Sequence, residues 1–166
     1  MALKVFISHS TADMDIVYEL YTWLWGGGLE AYVAELYPAP GIPLPSKVAG
    51  AIDSCDCLIA FLTADGNRSE FVQQEIGYAL GRRKFVVPIV EEGVVKPEGF
   101  LEDTEYIPFN RYDPVDAISR VAYFLKERAV RKEEEERNKA ILGMATFVLG
   151  LLGLAAAASS SKRKKE

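Results

Sequence analysis

Short apolar runs that alternate with helical patterns constrain the fold of this chain more than any other feature. Three of the runs are nearly continuous stretches of β-prone residues, which is typical of strands covered by helices on both faces. The five predicted strands are 3–8, 29–35, 57–63, 85–90 and a weaker one at 106–109. Helices are predicted over 12–25, 46–54 and 69–81, and a last one after Pro114. This alternation predicts an α/β domain with a parallel sheet.

Length and charge limit the classes of protein to consider. The chain has 166 residues, enough for one domain with a real core and an appendage. Its net charge of −5 gives no electrostatic reason to bind nucleic acid. Cys55 and Cys57 would point the same way on a strand, and no His/Cys cluster accompanies them, so we expect reduced core thiols and no metal site.

The C-terminal region differs in composition from the rest. Residues 140–158 form 19 residues without a charge, which is close to the length of a membrane-spanning helix. The sequence therefore predicts four parts: a globular domain at 1–128, a charged helical stalk at 129–139, a transmembrane helix at 140–158 and a basic tail at 159–166. With no secretory signal at the N-terminus, we expect a single-pass membrane protein whose domain lies in the cytoplasm.

The stretch FVQQEIGYAL, residues 71–80, contains one charge in the wrong place. At 100 degrees per residue, Glu75 falls inside the apolar arc of the helix, between Phe71 and Ala79. Ligands bind at the carboxyl ends of the strands in an open parallel sheet, and this helix follows the end of the third strand. Glu75 is therefore expected to face a cleft, although a salt bridge to Arg68 or Arg82 is the alternative.

Other motifs limit the reactions and binding sites that the chain can be expected to have. The chain has neither GxGxxG nor GxxxxGK[ST], so dinucleotide binding of the Rossmann type and P-loop phosphoryl transfer have no support. His9 is the only histidine, and a lone histidine is more often structural than catalytic. The loop at 34–46 has four prolines and a glycine and is predicted to be irregular, near the same cleft as the residues after the first strand.

Five blocks in order resemble the Toll/interleukin-1 receptor (TIR) domain family. These are KVFISHSTAD, PGIPLP, AIDSCDCLIAFLT, SEFVQQEIGYAL and KFVVPIV, and together they cover about residues 3–125. The resemblance implies a flavodoxin-like three-layer sandwich with a five-stranded parallel sheet. It also implies cleavage of NAD at the bond between nicotinamide and ribose, as a hydrolase or cyclase with NAD as substrate and no cofactor, in defence or stress signalling.

The resemblance carries roles onto individual residues. Glu75 matches the catalytic glutamate of the family, and Phe71 stands four positions before it, where many members have tryptophan. The residues implied to line the pocket are Phe6, Ser8, His9, Ser10, Gly41 and Phe71. The family also implies activation by self-association, here on a membrane. Two alternatives remain open: a non-enzymatic TIR adaptor, and an enzyme similar to nucleoside deoxyribosyltransferases, which share the E-x-G-x-A pattern at 75–79.

Overall fold

The computed structural model describes residues 2–95, 101 and 103–162, and the side chains of these residues except 143, 145 and 147–162. Its strands are β1 Lys4–Ser8, β2 Glu30–Tyr32, β3 Cys57–Leu62, β4 Phe85–Glu91 and β5 Ile107–Phe109. Its α-helices are α1 Met14–Gly26, α2 Leu44–Ser54, α3 Ala64–Arg68, α4 Glu70–Gly81 and α5 Val115–Lys162. Short 3₁₀ turns cover Thr11–Asp13 and Ala34–Leu36.

All five strands are parallel and lie in the order β2-β1-β3-β4-β5. This is the flavodoxin-like order, and it confirms the predicted fold class. The strand order reverses between β1 and β3, because the chain leaves β1 toward one edge of the sheet and returns to build the other. The carboxyl ends of these two strands are therefore the expected position of a binding cleft.

The central strands are buried on both faces, as their apolar runs predict. One face packs against α2 and α4, where Phe6 and Leu58 of the sheet meet Ile52 and Ile76 of the helices. Cys55 and Cys57 are buried and form no disulfide, as predicted. Burial raises the pKa of the Cys55 thiol to about 11, so it behaves as a small apolar core residue.

Three local differences from the predicted elements matter for the site. The second strand ends at Tyr32, and the next residues turn into the 3₁₀ segment Ala34–Leu36. Helix α2 begins at Leu44, two residues earlier than predicted, because proline is tolerated in the first turn of a helix. The short helix α3 occupies a segment predicted to be loop, since the Thr63 side chain caps it by accepting from the Gly66 N–H.

Two compact units divide the chain, Met1–Glu127 and Arg128–Glu166. The first contains the sheet, α1 to α4 and the beginning of α5. The second consists of the later part of α5. The functional division into a domain at 1–128, a stalk at 129–139 and a basic tail at 159–166 stays a prediction, and residues 163–166 lie outside the described part of the chain.

The predicted membrane helix over 140–158 is wrong. In the part of the chain that the structure describes, no helix is both long and apolar enough to cross a bilayer. The segment falls inside α5, a single helix of 48 residues. The predicted single-pass membrane location with a cytoplasmic domain, and the lipid bilayer as a partner, are overturned with it.

Candidate functional site

A cavity of about 410 Å³ lies at the carboxyl edge of the sheet, beside the end of β1. Helices α2 and α4 and the turn after β2 form its walls. Its lining residues are His9, Ser10, Thr11, Ala34, Glu35, Leu44, Pro45, Val48, Ala49, Ile52, Ser69, Phe71, Gln74, Glu75 and Tyr78. The cavity therefore lies next to the point where the strand order reverses, as expected for this topology.

Glu75 is half-buried and lines this cavity from the second turn of α4. Ser69 caps the helix by accepting from the Val72 N–H at 3.4 Å. The Ser8 hydroxyl, at the end of β1, donates a hydrogen bond to the Glu75 carboxylate. Arg82, the alternative partner, is instead paired with Asp53 at 2.6 Å. Among the described residues, no ion pair holds the Glu75 carboxylate.

Burial changes the acidity of Glu75. Its pKa is raised to about 7: desolvation raises it most, the Ser8 hydrogen bond lowers it, and the negative charge of Glu35 raises it. A carboxyl group with such a shifted pKa inside a cavity is a candidate for a catalytic role.

His9 reaches the same cavity from the residue after β1, and its side chain is only 3% exposed. Its Nδ1 atom lies 3.2 Å from the carbonyl oxygen of Ile7. Its Nε2 atom lies 3.1 Å from Met14 Sδ and 3.5 Å from a carboxylate oxygen of Glu35. The histidine is therefore held by contacts on both sides of its ring.

Glu35 also lines the cavity, although its sequence pattern does not indicate this. The sequence pattern places it at the end of the second strand, where it would be one residue of a regular alternation. In the structure that strand ends three residues earlier, and the 3₁₀ turn that follows places Glu35 at the carboxyl edge of the sheet. Residues that directly follow a strand end near such a cleft, so the position of Glu35 in the sequence could have indicated that it lines the cavity.

The other predicted pocket residues divide into two groups. Ser10 and Phe71 line the cavity, with Phe71 64% exposed at its rim, and Ser8 lies fully buried beneath, in contact with Glu75.

Phe6 is 1% exposed and stacks on Tyr32 at 5.7 Å, so it belongs to the core. Phe6 shares a sheet face with Ser8 but lies one pleat deeper. Gly41 adopts a φ of +85° in the proline-rich loop and is outside the described lining.

The cavity is acidic. Two carboxylates, one imidazole and several hydroxyl groups line it, and no lysine or arginine is among its described lining residues. No group of three or more His, Cys, Asp or Glu side chains that could hold a metal ion occurs in the described ranges. Such a lining suits a ligand part that is cationic or neutral and rich in hydroxyl groups, rather than a phosphate.

Comparison with known proteins agrees with this architecture. A protein of Brachypodium distachyon, the probable 2′ cyclic ADP-D-ribose synthase BdTIR, is 26% identical over 126 residues, which is 75% of this chain. The chain spans 55% of the length of that relative.

Solved structures share the fold. The TIR domain of the Toll-related receptor TRR-2 from Hydra magnipapillata superposes with a TM-score of 0.61 at 18% identity, over 72% of this chain and 94% of that one. The TIR domains of the activated Roq1 resistosome give 0.62 at 15% identity, over 75% and 99%. The family profile of the TIR domain matches residues 5–141, which is most of the sequence. This chain belongs to the TIR domain family.

Proposed function

We propose that the protein cleaves NAD at the bond between nicotinamide and ribose, with Glu75 as the catalytic residue. One observation carries the proposal: the Glu75 carboxylate faces a cavity, is held by Ser8 and has no cationic partner among the described residues. The similarity to BdTIR supports the choice of substrate class. The product is ADP-ribose or a cyclised form of it.

The chemistry needs only one carboxylate for the cleavage step. Glycosidases protonate a poor leaving group with one acid and stabilise the oxocarbenium-like transition state with another. Nicotinamide in NAD carries a positive charge and departs as a neutral molecule, so no acid has to protonate it. An anion next to the ribose stabilises the positive charge that develops at C1′, and a cavity that excludes water strengthens this effect.

We also propose that the protein is activated by self-association, in a defence or stress signalling role. A resistosome is an assembly in which TIR domains are brought together, and the Roq1 TIR domains share this fold. Ordering of the cavity walls by a second copy would raise turnover. Nicotinamide release per molecule is then expected to increase with protein concentration.

The test is nicotinamide release from NAD by the full chain over a range of protein concentrations. Glu75→Gln keeps the size of the side chain and removes its charge, so we expect release to fall by at least about 100-fold. The matched control is Glu70→Gln, five residues earlier on α4, exposed and outside the described lining. We expect this control to retain wild-type activity.

Equal activity of the wild type and Glu75→Gln would reject the catalytic assignment. No nicotinamide release by the wild type at any concentration would leave a non-enzymatic adaptor as the better description. Release that is proportional to concentration, with constant activity per molecule, would reject activation by self-association.

A further inference from the structure

The ring of His9 is surrounded by hydrogen-bond acceptors. The Ile7 carbonyl oxygen near Nδ1 can only accept, so Nδ1 carries a hydrogen. Both neighbours of Nε2 accept as well, since one is the Met14 thioether sulfur and the other the Glu35 carboxylate. These contacts hold the ring on both sides and place its Nε2 atom against the Glu35 carboxylate.

Glu35 is placed to exchange protons with both the cavity and the solvent. Its side chain is 39% exposed, whereas that of His9 is almost completely covered. It lines the same cavity as Glu75, and the two carboxylates are close enough to influence each other electrostatically. The titratable groups near Glu35 include His9, Glu75 across the cavity and Tyr32. The Lys47 ammonium donates to the carbonyl oxygen of the adjacent residue, Ala34.

The proposed reaction needs a proton acceptor that the cleavage step does not use. When the C1′–N bond breaks, its electron pair passes to the nicotinamide nitrogen, which becomes neutral. A water or hydroxyl oxygen then bonds to C1′ and must lose a proton. In the proposed mechanism Glu75 stabilises the positive charge at C1′, and its carboxylate accepts a hydrogen bond from Ser8.

We infer that Glu35 is a second catalytic residue, which accepts the proton of the attacking oxygen nucleophile, and that His9 is the positioning residue that holds the Glu35 carboxylate at the cavity. The inference rests on the proposed function. The new C1′–O bond forms as the O–H bond breaks, the proton passes to a Glu35 oxygen, and Glu35 then releases it to solvent. Glu75 supports departure of nicotinamide, and Glu35 supports capture of the sugar.

Water and 3-acetylpyridine, used as alternative nucleophiles, distinguish the role of Glu35 from that of Glu75. Water must lose a proton when it captures the sugar. The ring nitrogen of 3-acetylpyridine has no proton to lose, and its capture gives the 3-acetylpyridine dinucleotide in exchange for nicotinamide. Removal of a base should therefore slow hydrolysis and leave pyridine exchange unaffected, whereas removal of the group that supports cleavage should slow both.

The experiment measures hydrolysis and 3-acetylpyridine exchange side by side with the full chain. For Glu35→Gln we expect hydrolysis to fall about 100-fold, the usual range for a lost general base, while exchange stays within about threefold of wild type. Glu75→Gln should lose both reactions. Glu30→Gln is the matched control: Glu30 lies at the start of β2, pairs with Lys4 at 3.2 Å and is outside the described lining. It should change neither reaction.

Exchange activity also reports that Glu35→Gln has folded. Parallel loss of both reactions in this variant, or loss of neither, would overturn the inference and leave the proposed function intact. A wild type that is silent in both reactions would instead reject the proposed function, and the inference with it.

A second readout does not depend on activity. His9 is the only histidine of the chain, so its ring nitrogens can be assigned without ambiguity by ¹⁵N NMR. We expect the Nε2 signal to change in Glu35→Gln, because that nitrogen loses its carboxylate neighbour. An Nε2 signal that is the same in the wild type and in Glu35→Gln would overturn the His9–Glu35 pairing.

Discussion

At the scale of single residues, the position of Glu75 explains why a charged residue interrupts the apolar face of helix α4. The buried residues of the helix are Val72, Ile76 and Ala79, and they pack on the sheet as the helical period predicts. Glu75 lies on the border of that face, where the helix overhangs the carboxyl edge of the sheet. A polar residue there reaches the cavity and Ser8 without entering the core.

The acidity of Glu75 predicts how the reaction depends on pH. Because burial raises its pKa to about 7, the carboxyl group is protonated and inactive at lower pH. We expect kcat/KM for nicotinamide release to rise about tenfold per pH unit below pH 7 and to level off above it. A midpoint near the ordinary glutamate value of 4.5 would contradict this environment.

Ser8→Ala provides the internal check on the pH profile. The hydrogen bond from Ser8 stabilises the ionised form and so lowers the pKa of Glu75. Its removal should move the midpoint to higher pH, by roughly one unit. A midpoint that moves to lower pH would mean that the hydroxyl favours the protonated acid.

At the scale of secondary-structure elements, the turn from β3 into α3 depends on one glycine. A Cβ atom at Gly66 would lie 2.3 Å from the Phe61 carbonyl oxygen and 3.2 Å from Thr63 Oγ1. The nearest atom is backbone, which cannot move aside as a flexible side chain can. The same turn carries the Thr63 cap of α3, so any shift would also disturb that hydrogen bond.

Gly66→Ala should therefore destabilise the protein by about 2–4 kcal/mol, measured by chemical denaturation. Gly50→Ala is the matched control, because Gly50 is an exposed helical glycine with no atom within 4 Å of an added Cβ. Alanine there should stabilise α2 by up to about 1 kcal/mol. The steric argument fails if the two variants have the same free energy of unfolding.

At the scale of the whole molecule, a buried charge network joins distant parts of the chain. Asp13 is 0% exposed and accepts hydrogen bonds from Thr63 at 2.7 Å and from Arg111 at 2.6 Å. Arg111 also pairs with Glu91 at 2.8 Å. Hydrogen bonds to Glu91 and Asp13 hold the pKa of Arg111 above its usual value. The network thus connects the segments that follow β1, β3 and β5 with the end of β4.

Arg111→Gln should leave the buried Asp13 carboxylate without a counter-charge. We expect a loss of about 3–5 kcal/mol in the free energy of unfolding at pH 7. The control is Arg120→Gln, since Arg120 pairs with Asp116 on the exposed surface of α5 and should contribute less than about 0.5 kcal/mol. Similar small losses in both variants would show that Asp13 is satisfied without Arg111.

The sequence was sufficient to predict the parallel sheet, the order of its elements and a cavity-facing Glu75. These features follow from local periodicity, from apolar runs that must be covered on both faces, and from the rule that clefts form at the carboxyl edge. A helical period also shows which direction a side chain takes, so the exception at Glu75 was visible in a single stretch of ten residues.

Other features were decided only by tertiary structure. The pairing of His9 with Glu35 depends on a strand that stops at Tyr32 and on the turn that follows, neither of which local propensity specifies. Phe6 lies in the core because Tyr32 of the neighbouring strand covers it. Period and composition are local properties, whereas these contacts join residues that the chain brings together only when it folds.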